Sequence, residues 1–135
     1  MPAWLRRLLA RGAAREPLRG RPAVRRMKNY TAGSGYVYGY FYEGWRPASG
    51  GEEYLFTASG DGRNWTTVAV TVARGAVESW ESAHGLRLLD SERYAVAKLA
   101  LFDAFDERPT PREARAPVEV DAAAVGRYLD RLGIG

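Results

Sequence analysis

Acid–base or metal chemistry in this chain would have to come from a few side chains. The stretch ESWE supplies Glu78 and Glu81, DAFDE supplies Asp103, Asp106 and Glu107, and His84 is the only histidine. Carboxylates at i, i+3 share one helix face, and they hold a metal only when a histidine or further carboxylate stands at ligand spacing. Neither cluster is expected to gather a complete ligand set, so solvated helix faces are the better account. His84 falls in the last turn of an expected helix, where the dipole favours partial positive charge. Cysteine is absent, which excludes disulfides, thiolate ligands and a cysteine nucleophile. No serine lies in a G-x-S-x-G elbow or beside an evident base. The glycine-rich GSG at 33–35 and GDGRN at 60–64 lack the Lys-Ser/Thr pair of a phosphate loop. We therefore expect no catalytic set, no cofactor and no metal. An enzyme would require Glu78, Glu81, Asp103 or Asp106 to converge in a pocket with a perturbed pKa.

Binding is better represented. YVYGYFYEGW sets Tyr36, Tyr38, Tyr40 and Tyr42 on one strand face, with Val37, Gly39, Phe41 and Glu43 on the other. If helices pack on the Val37/Phe41 side, the phenols line an outer face and, with Trp45 and Arg46 in the adjoining loop, could stack bases or a partner's side chains. If helices pack on the tyrosine side, the rings are core and each hydroxyl needs a hydrogen-bond partner. Cross-strand pairing with Tyr54, Phe56 and Trp65 would stabilise the sheet without any binding role.

Charge is unevenly spread. Residues 1–28 carry +8, from Arg6, Arg7, Arg11, Arg15, Arg19, Arg21, Arg25, Arg26 and Lys28 against Glu16, whereas residues 29–135 carry −4. A polyanion would therefore be met by this segment and not by the body. Gly12, Pro17, Gly20 and Pro22 break the short amphipathic run around Trp4 and Leu8, so 1–28 reads as a flexible basic arm. Its Arg-rich, acid-poor character also suits an organellar presequence, and Met27 offers an alternative start. The apolar run is too short, and too interrupted by arginine, for a secretory signal. No stretch reaches the ~18 uncharged apolar residues of a membrane helix.

The elements that must position these residues follow from periodicity. Strict alternation marks 36–43 as a strand, and GWRPASGGEE reads as a loop. YLFTAS and WTTVAVTV, joined through Asp61-Gly62, make a hairpin over 54–72 with Val68, Val70 and Val72 facing the core. A helix over 75–84 places Val77, Trp80 and Ala83 inward and ends at Gly85. A longer helix over 91–107, capped by Asp90 or Ser91, carries Ala95, Leu99, Phe102 and Phe105 as its core stripe, widened almost to the whole circumference by Tyr94, Val96 and Leu101, and stops at Pro109 and Pro111. PVEV at 117–120 suits a short edge strand. Asp121 caps a last helix over 122–132 with Val125, Leu129 and Leu132 inward. The motif SGDGRNW resembles the Asp-box turn of sialidase-like propellers, one residue short of S-x-D-x-G-x-T-W and present once; no function is carried from it.

Strands grouped before helices give an α+β domain over 29–135. Its small antiparallel sheet has three to four strands (36–43, 54–59, 65–72 and, as an optional fourth, 117–120), packed on one face by about three helices. The leading expectation is a non-enzymatic domain, cytoplasmic and bacterial, that acts by contacting a protein partner or a second copy of itself. The alternative is a nucleic-acid-binding accessory protein, with the arm on phosphates and the tyrosine face on unpaired bases.

Overall fold

The computed structural model describes residues 2–3 and 16–135. It is an α+β fold in which one curled sheet holds five strands in the order β1 (Lys28–Thr31), β2 (Val37–Ala48), β3 (Gly51–Ser59), β4 (Thr66–Ala73) and β5 (Val118–Val120). The first three pairings are antiparallel, and β5 runs parallel to β4 with Val70 opposite Val118. Among the described residues four helices complete the chain: α1 (Ala76–His84), α2 (Asp90–Glu107), α3 (Pro111–Ala114) and α4 (Ala122–Arg131). None of these helices is long and apolar enough to cross a membrane.

Three to four antiparallel strands and three helices must therefore be corrected to five strands in a mixed sheet and four helices. The strand β1 escapes sequence reading because KNYT is too short to show alternation. The last strand is parallel because the chain passes through α1, α2 and α3 before it returns, and parallel neighbours need such a crossover. Pro111 does not merely stop α2; it opens α3 at the first helical position, where a missing N–H costs nothing, and Thr110 caps it by accepting from the Glu113 N–H at 3.3 Å.

β2 is also longer than 36–43. Tyr42 pairs with Phe56 and Gly44 with Leu55, so Glu43 is an extra residue in a bulge, and Gly44 takes φ 128°, a value that suits glycine. Beyond the bulge the strand continues to Ala48, which pairs with Gly51 around the two-residue turn Ser49–Gly50. The expected loop is thus mostly strand. The hairpin over 54–72 forms as its sequence predicts, with Phe56 opposite Val68 and Tyr54 opposite Val70.

The core lies between the inner sheet face and the helices. Tyr38, Tyr40, Tyr54, Phe56, Val68, Val70 and Val72 are buried against Val96, Ala97, Ala100, Leu101, Ala104 and Phe105 of α2 and Val125 and Leu129 of α4. In α2 this stripe is rotated from the expected one. Phe105 belongs to it, but Ala95, Leu99 and Phe102 lie on a half-buried flank. A helix apolar around most of its circumference leaves periodicity little hold on phase, and the three alanines turn inward because they let the helix approach the sheet closely. Neither Asp90 nor Ser91 caps α2; instead Glu92 reaches back to accept the Leu89 N–H at 2.8 Å. Asp121 does cap α4, accepting from the Ala124 N–H at 2.8 Å, whereas Leu132 lies beyond the helix and is exposed. Trp80 of α1 is buried as expected, and Ala83 is not.

Candidate functional site

The helices pack on the tyrosine side. Tyr38 and Tyr40 are buried, Tyr42 is half-buried, and only Tyr36, at the start of the row, is exposed. Tyr38 stacks on Phe105 with centroids 4.0 Å apart, Tyr40 meets Phe102 edge-on at 5.6 Å, and Tyr42 lies 4.4 Å from Tyr94. Such pairs are worth about 0.5–1.5 kcal/mol each beyond the area they bury. Burial pushes the Tyr40 phenol up to about 12 and the Tyr42 phenol higher still, so both stay protonated. These rings hold α2 to the sheet and cannot stack on bases.

Trp45 and Arg46 do not join them in one platform. The extra residue at Glu43 shifts the alternation, so Trp45 sits opposite Tyr54 on the inner face, with rings 6.2 Å apart, and Arg46 points outward to an ion pair with Glu53 at 3.0 Å. The expected pairing partners divide in the same way. Phe56 meets Tyr40 and Tyr42 inside, but Trp65 packs on Phe41 on the outer face at 5.4 Å.

Of the basic arm, Arg6, Arg7, Arg11 and Arg15 lie outside the described residues. From Leu18 onward the segment lies on the sheet. Arg19 exchanges two backbone hydrogen bonds with Trp45, at 2.7 and 3.0 Å, along the edge of β2 that β1 leaves open. Gly44 makes room for this approach, since a Cβ there would stand 2.8 Å from the Arg19 carbonyl oxygen. The Arg19 guanidinium pairs with Glu16 at 3.1 Å and lies 5.3 Å over the Trp45 ring. Arg25 is the principal anchor, donating twice to the Glu43 carboxylate at 2.7 Å and lying 4.2 Å over the Phe41 ring. Thr57 donates to the same carboxylate at 2.6 Å, and the Arg25 hydrogen bonds hold the Glu43 carboxyl below its ordinary range. The bulge that makes Glu43 an extra residue is what aims it at Arg25. Arg21 and Arg26 are exposed, and Lys28 opens β1 opposite Tyr40.

The outer face therefore carries the surface left for a partner. No helix covers it. Its centre is apolar: Phe41, Leu55 and Ala69 are half-buried, while Val37 (54%), Met27 (53%) and Trp65 (37%) are exposed. These groups adjoin around Gly39, where a Cβ would stand 3.1 Å from the Trp65 ring and 3.3 Å from the Met27 sulfur. Gly39 thus admits a tryptophan and a thioether from the same chain. Thr57, Thr67 and Thr71 share the face, and the Arg25–Glu43 and Arg46–Glu53 pairs border it.

The acidic residues weighed for catalysis brace the fold. Asp106 accepts from the Tyr30 hydroxyl at 2.7 Å and the Gly33 N–H at 2.8 Å, tying the β1–β2 turn to the end of α2. Asp103 accepts from the Tyr128 hydroxyl at 2.9 Å and pairs with Arg131 at 3.2 Å, joining α2 to α4. Glu81 accepts the Leu88 N–H at 2.7 Å, and Glu78 is exposed. His84 closes α1, stacked on Trp80 at 4.2 Å with its Nδ1 2.9 Å from the Trp80 carbonyl oxygen. Among the described residues no three His, Asp or Glu side chains are grouped to hold a metal ion. Compared with known proteins, the chain matches no protein-family model, no curated protein and no solved structure.

Proposed function

We propose that this chain is a contact domain, without catalytic chemistry of its own, whose outer sheet face meets a second copy of the chain. The observation that supports it is the cluster of Val37, Met27 and Trp65 around Phe41 on a face that no helix covers among the described residues. An antiparallel sheet with one face toward water ordinarily alternates to polar residues there, as Thr57, Thr67 and Thr71 do. An apolar group of this size among them is the pattern of an interface with a drier centre and a polar rim. The rim carries both signs of charge, in Arg25 and Arg46 beside Glu43 and Glu53. Both pairs are closed within one chain, so two copies related by a two-fold axis would meet no unpaired charge at this rim. Nucleic acid fits less well, because Tyr38 and Tyr40 are buried and Arg19 and Arg25 already pair with carboxylates.

Sedimentation velocity from about 1 μM to about 500 μM, the range of ordinary homodimer affinities, tests this. The wild type should pass from monomer to dimer, and Trp65→Glu and Met27→Glu should shift the midpoint at least about tenfold upward, as truncating a central contact does. Circular dichroism would establish that both variants keep the fold. A wild type that stays monomeric throughout, or a dimer indifferent to both substitutions, would remove the outer face as the interface.

A further inference from the structure

A cavity of about 450 Å³ opens where the β3–β4 turn faces α3, lined in part by Tyr38, Thr66, Val68, Phe105, Arg112 and Arg115. We propose that it binds a small organic acid: an apolar, preferably aromatic body with an anionic head at the mouth and a hydroxyl or carbonyl group at the inner end.

Three observations carry this. The first is the Tyr38 hydroxyl, which is buried and has no hydrogen-bond partner among the described residues, on a side chain 1% exposed. The ring cannot turn to find one, since β2 fixes its backbone and Phe105 lies parallel to it at 4.0 Å. Burial pushes the phenol up, so the oxygen keeps its proton and is both a donor and an acceptor for a ligand group that displaces the contacts now covering it. A buried polar group left in this condition at a pocket wall is a group poised for a ligand.

The second is the interior surface. Val68, Phe105, Ala58 and Ala114 are buried side chains that also line the cavity, so its floor suits a hydrocarbon or aromatic body. The volume lies within the usual range for small-molecule sites.

The third is the charge at the mouth. Arg112 and Arg115 are exposed, and neither makes an ion pair or side-chain hydrogen bond among the described residues. The carboxylate that shares the lining, Asp61, is already occupied. It accepts from the Ser59 hydroxyl at 2.9 Å, the Arg63 and Asn64 N–H groups at 2.8 Å each, and the Asn64 side chain at 2.7 Å. Those donors hold its carboxyl well below the usual range, so it stays ionised and fixes the turn, and the lining carries two guanidinium charges against this one carboxylate. A carboxylate fits better than a phosphate. A phosphate site built at a helix start relies on free backbone N–H groups, but α3 begins with a proline and its Glu113 N–H is held by Thr110. Two guanidinium groups beside an apolar floor match a planar carboxylate on a hydrophobic body.

The probe is 4-hydroxyphenylacetate, titrated into the full chain and followed by amide chemical shifts, with 2-(4-hydroxyphenyl)ethanol as the neutral counterpart. The acid should saturate shifts at Gly60, Thr66 and Ala114, and the neutral analogue should bind more weakly. Tyr38→Phe should weaken the acid roughly 2- to 10-fold, the worth of one neutral hydrogen bond. Arg112→Ala with Arg115→Ala should weaken it more than about 10-fold while leaving the neutral analogue nearly unaffected. Both variants alter groups that the fold does not need, so their spectra should superpose on the wild type away from the cavity. No saturable shift at these amides up to about 10 mM acid, beyond the weak end of specific binding, would overturn the proposal. So would saturation that neither variant changes, because the acid would then sit elsewhere.

Discussion

Replacing Tyr38 by phenylalanine should make the protein more stable, the reverse of the usual result of altering a fully buried side chain. The ring keeps its stack on Phe105 at 4.0 Å and its neighbours in β2, so no apolar contact is lost. What disappears is a hydroxyl that is buried and unpartnered among the described residues. Leaving a buried donor or acceptor unpaired costs about 1–3 kcal/mol, and removing that group recovers part of the penalty. We expect Tyr38→Phe to gain about 1 kcal/mol, which for a domain of this size raises Tm by about 3–6 °C. With a urea dependence of about 1.5–2 kcal/mol per molar, the midpoint should move up by about half a molar. Urea unfolding followed by far-UV circular dichroism, with the slope fitted for each protein, gives the comparison. A Tyr38→Phe protein that is equally stable or less stable would mean that the hydroxyl is satisfied in solution. The cavity would then lose the group that marks it as a binding site. Stabilisation together with weaker acid binding would show a side chain kept for its ligand at the expense of the empty fold.

Two further tests concern the contacts that fasten loose segments to the sheet. Arg25 holds the Glu43 carboxyl below its ordinary value of 4.5, so its contribution to stability is present above that pH and is lost as pH falls through the depressed value. The wild type should lose stability more steeply than Glu43→Gln below pH 4.5, and parallel acid limbs in denaturation series would refute the coupling. The Tyr30 phenol, raised to about 12 chiefly by its hydrogen bond to Asp106, has the opposite sign: its contribution is whole below the unfolded value of about 10 and is lost as pH rises through 12. Tyr30→Phe should cost about 1 kcal/mol at pH 7 and show a shallower alkaline decline than the wild type; no difference at either pH would mean that the Tyr30–Asp106 contact does not form in solution.

The parts of this architecture that a reader of the sequence can find are those where local chemistry and periodicity agree. Asp61-Gly62 between two alternating runs specifies the hairpin, and Asp121 before an amphipathic run specifies the start of α4. Where a single residue resets the pattern, the reading fails. Glu43 is an unremarkable acid in sequence, yet as the extra residue of a bulge it sends Trp45 inward and Arg46 outward, separating two neighbours that looked like parts of one surface. The side on which the tyrosines fall depends on tertiary packing against Ala97, Ala100 and Ala104, and the spacing of the tyrosines is the same for either choice. The cavity is harder still, because Tyr38, Thr66, Phe105 and Arg112 come from four separate elements or their connections. One signal was available: four phenols on one strand face raise the question of where each hydroxyl finds a partner, and Tyr38 is the one whose hydroxyl is both fully buried and unpartnered among the described residues.

The parallel strand at the end of the sheet imposes an order on assembly. β5 supplies only Val118–Val120, and these cover Val70, Thr71 and Val72 of β4. A nascent chain that has emerged only as far as Ala116 can pair β1 to β4 but presents the far side of β4 as an unpaired row of backbone donors and acceptors. Such an edge recruits strands from other molecules. A fragment ending at Ala116 should therefore scatter light at concentrations where the full chain stays clear. Residues 117–135 would then act as the guard of a vulnerable edge, reaching it only after β1 to β4 have been made.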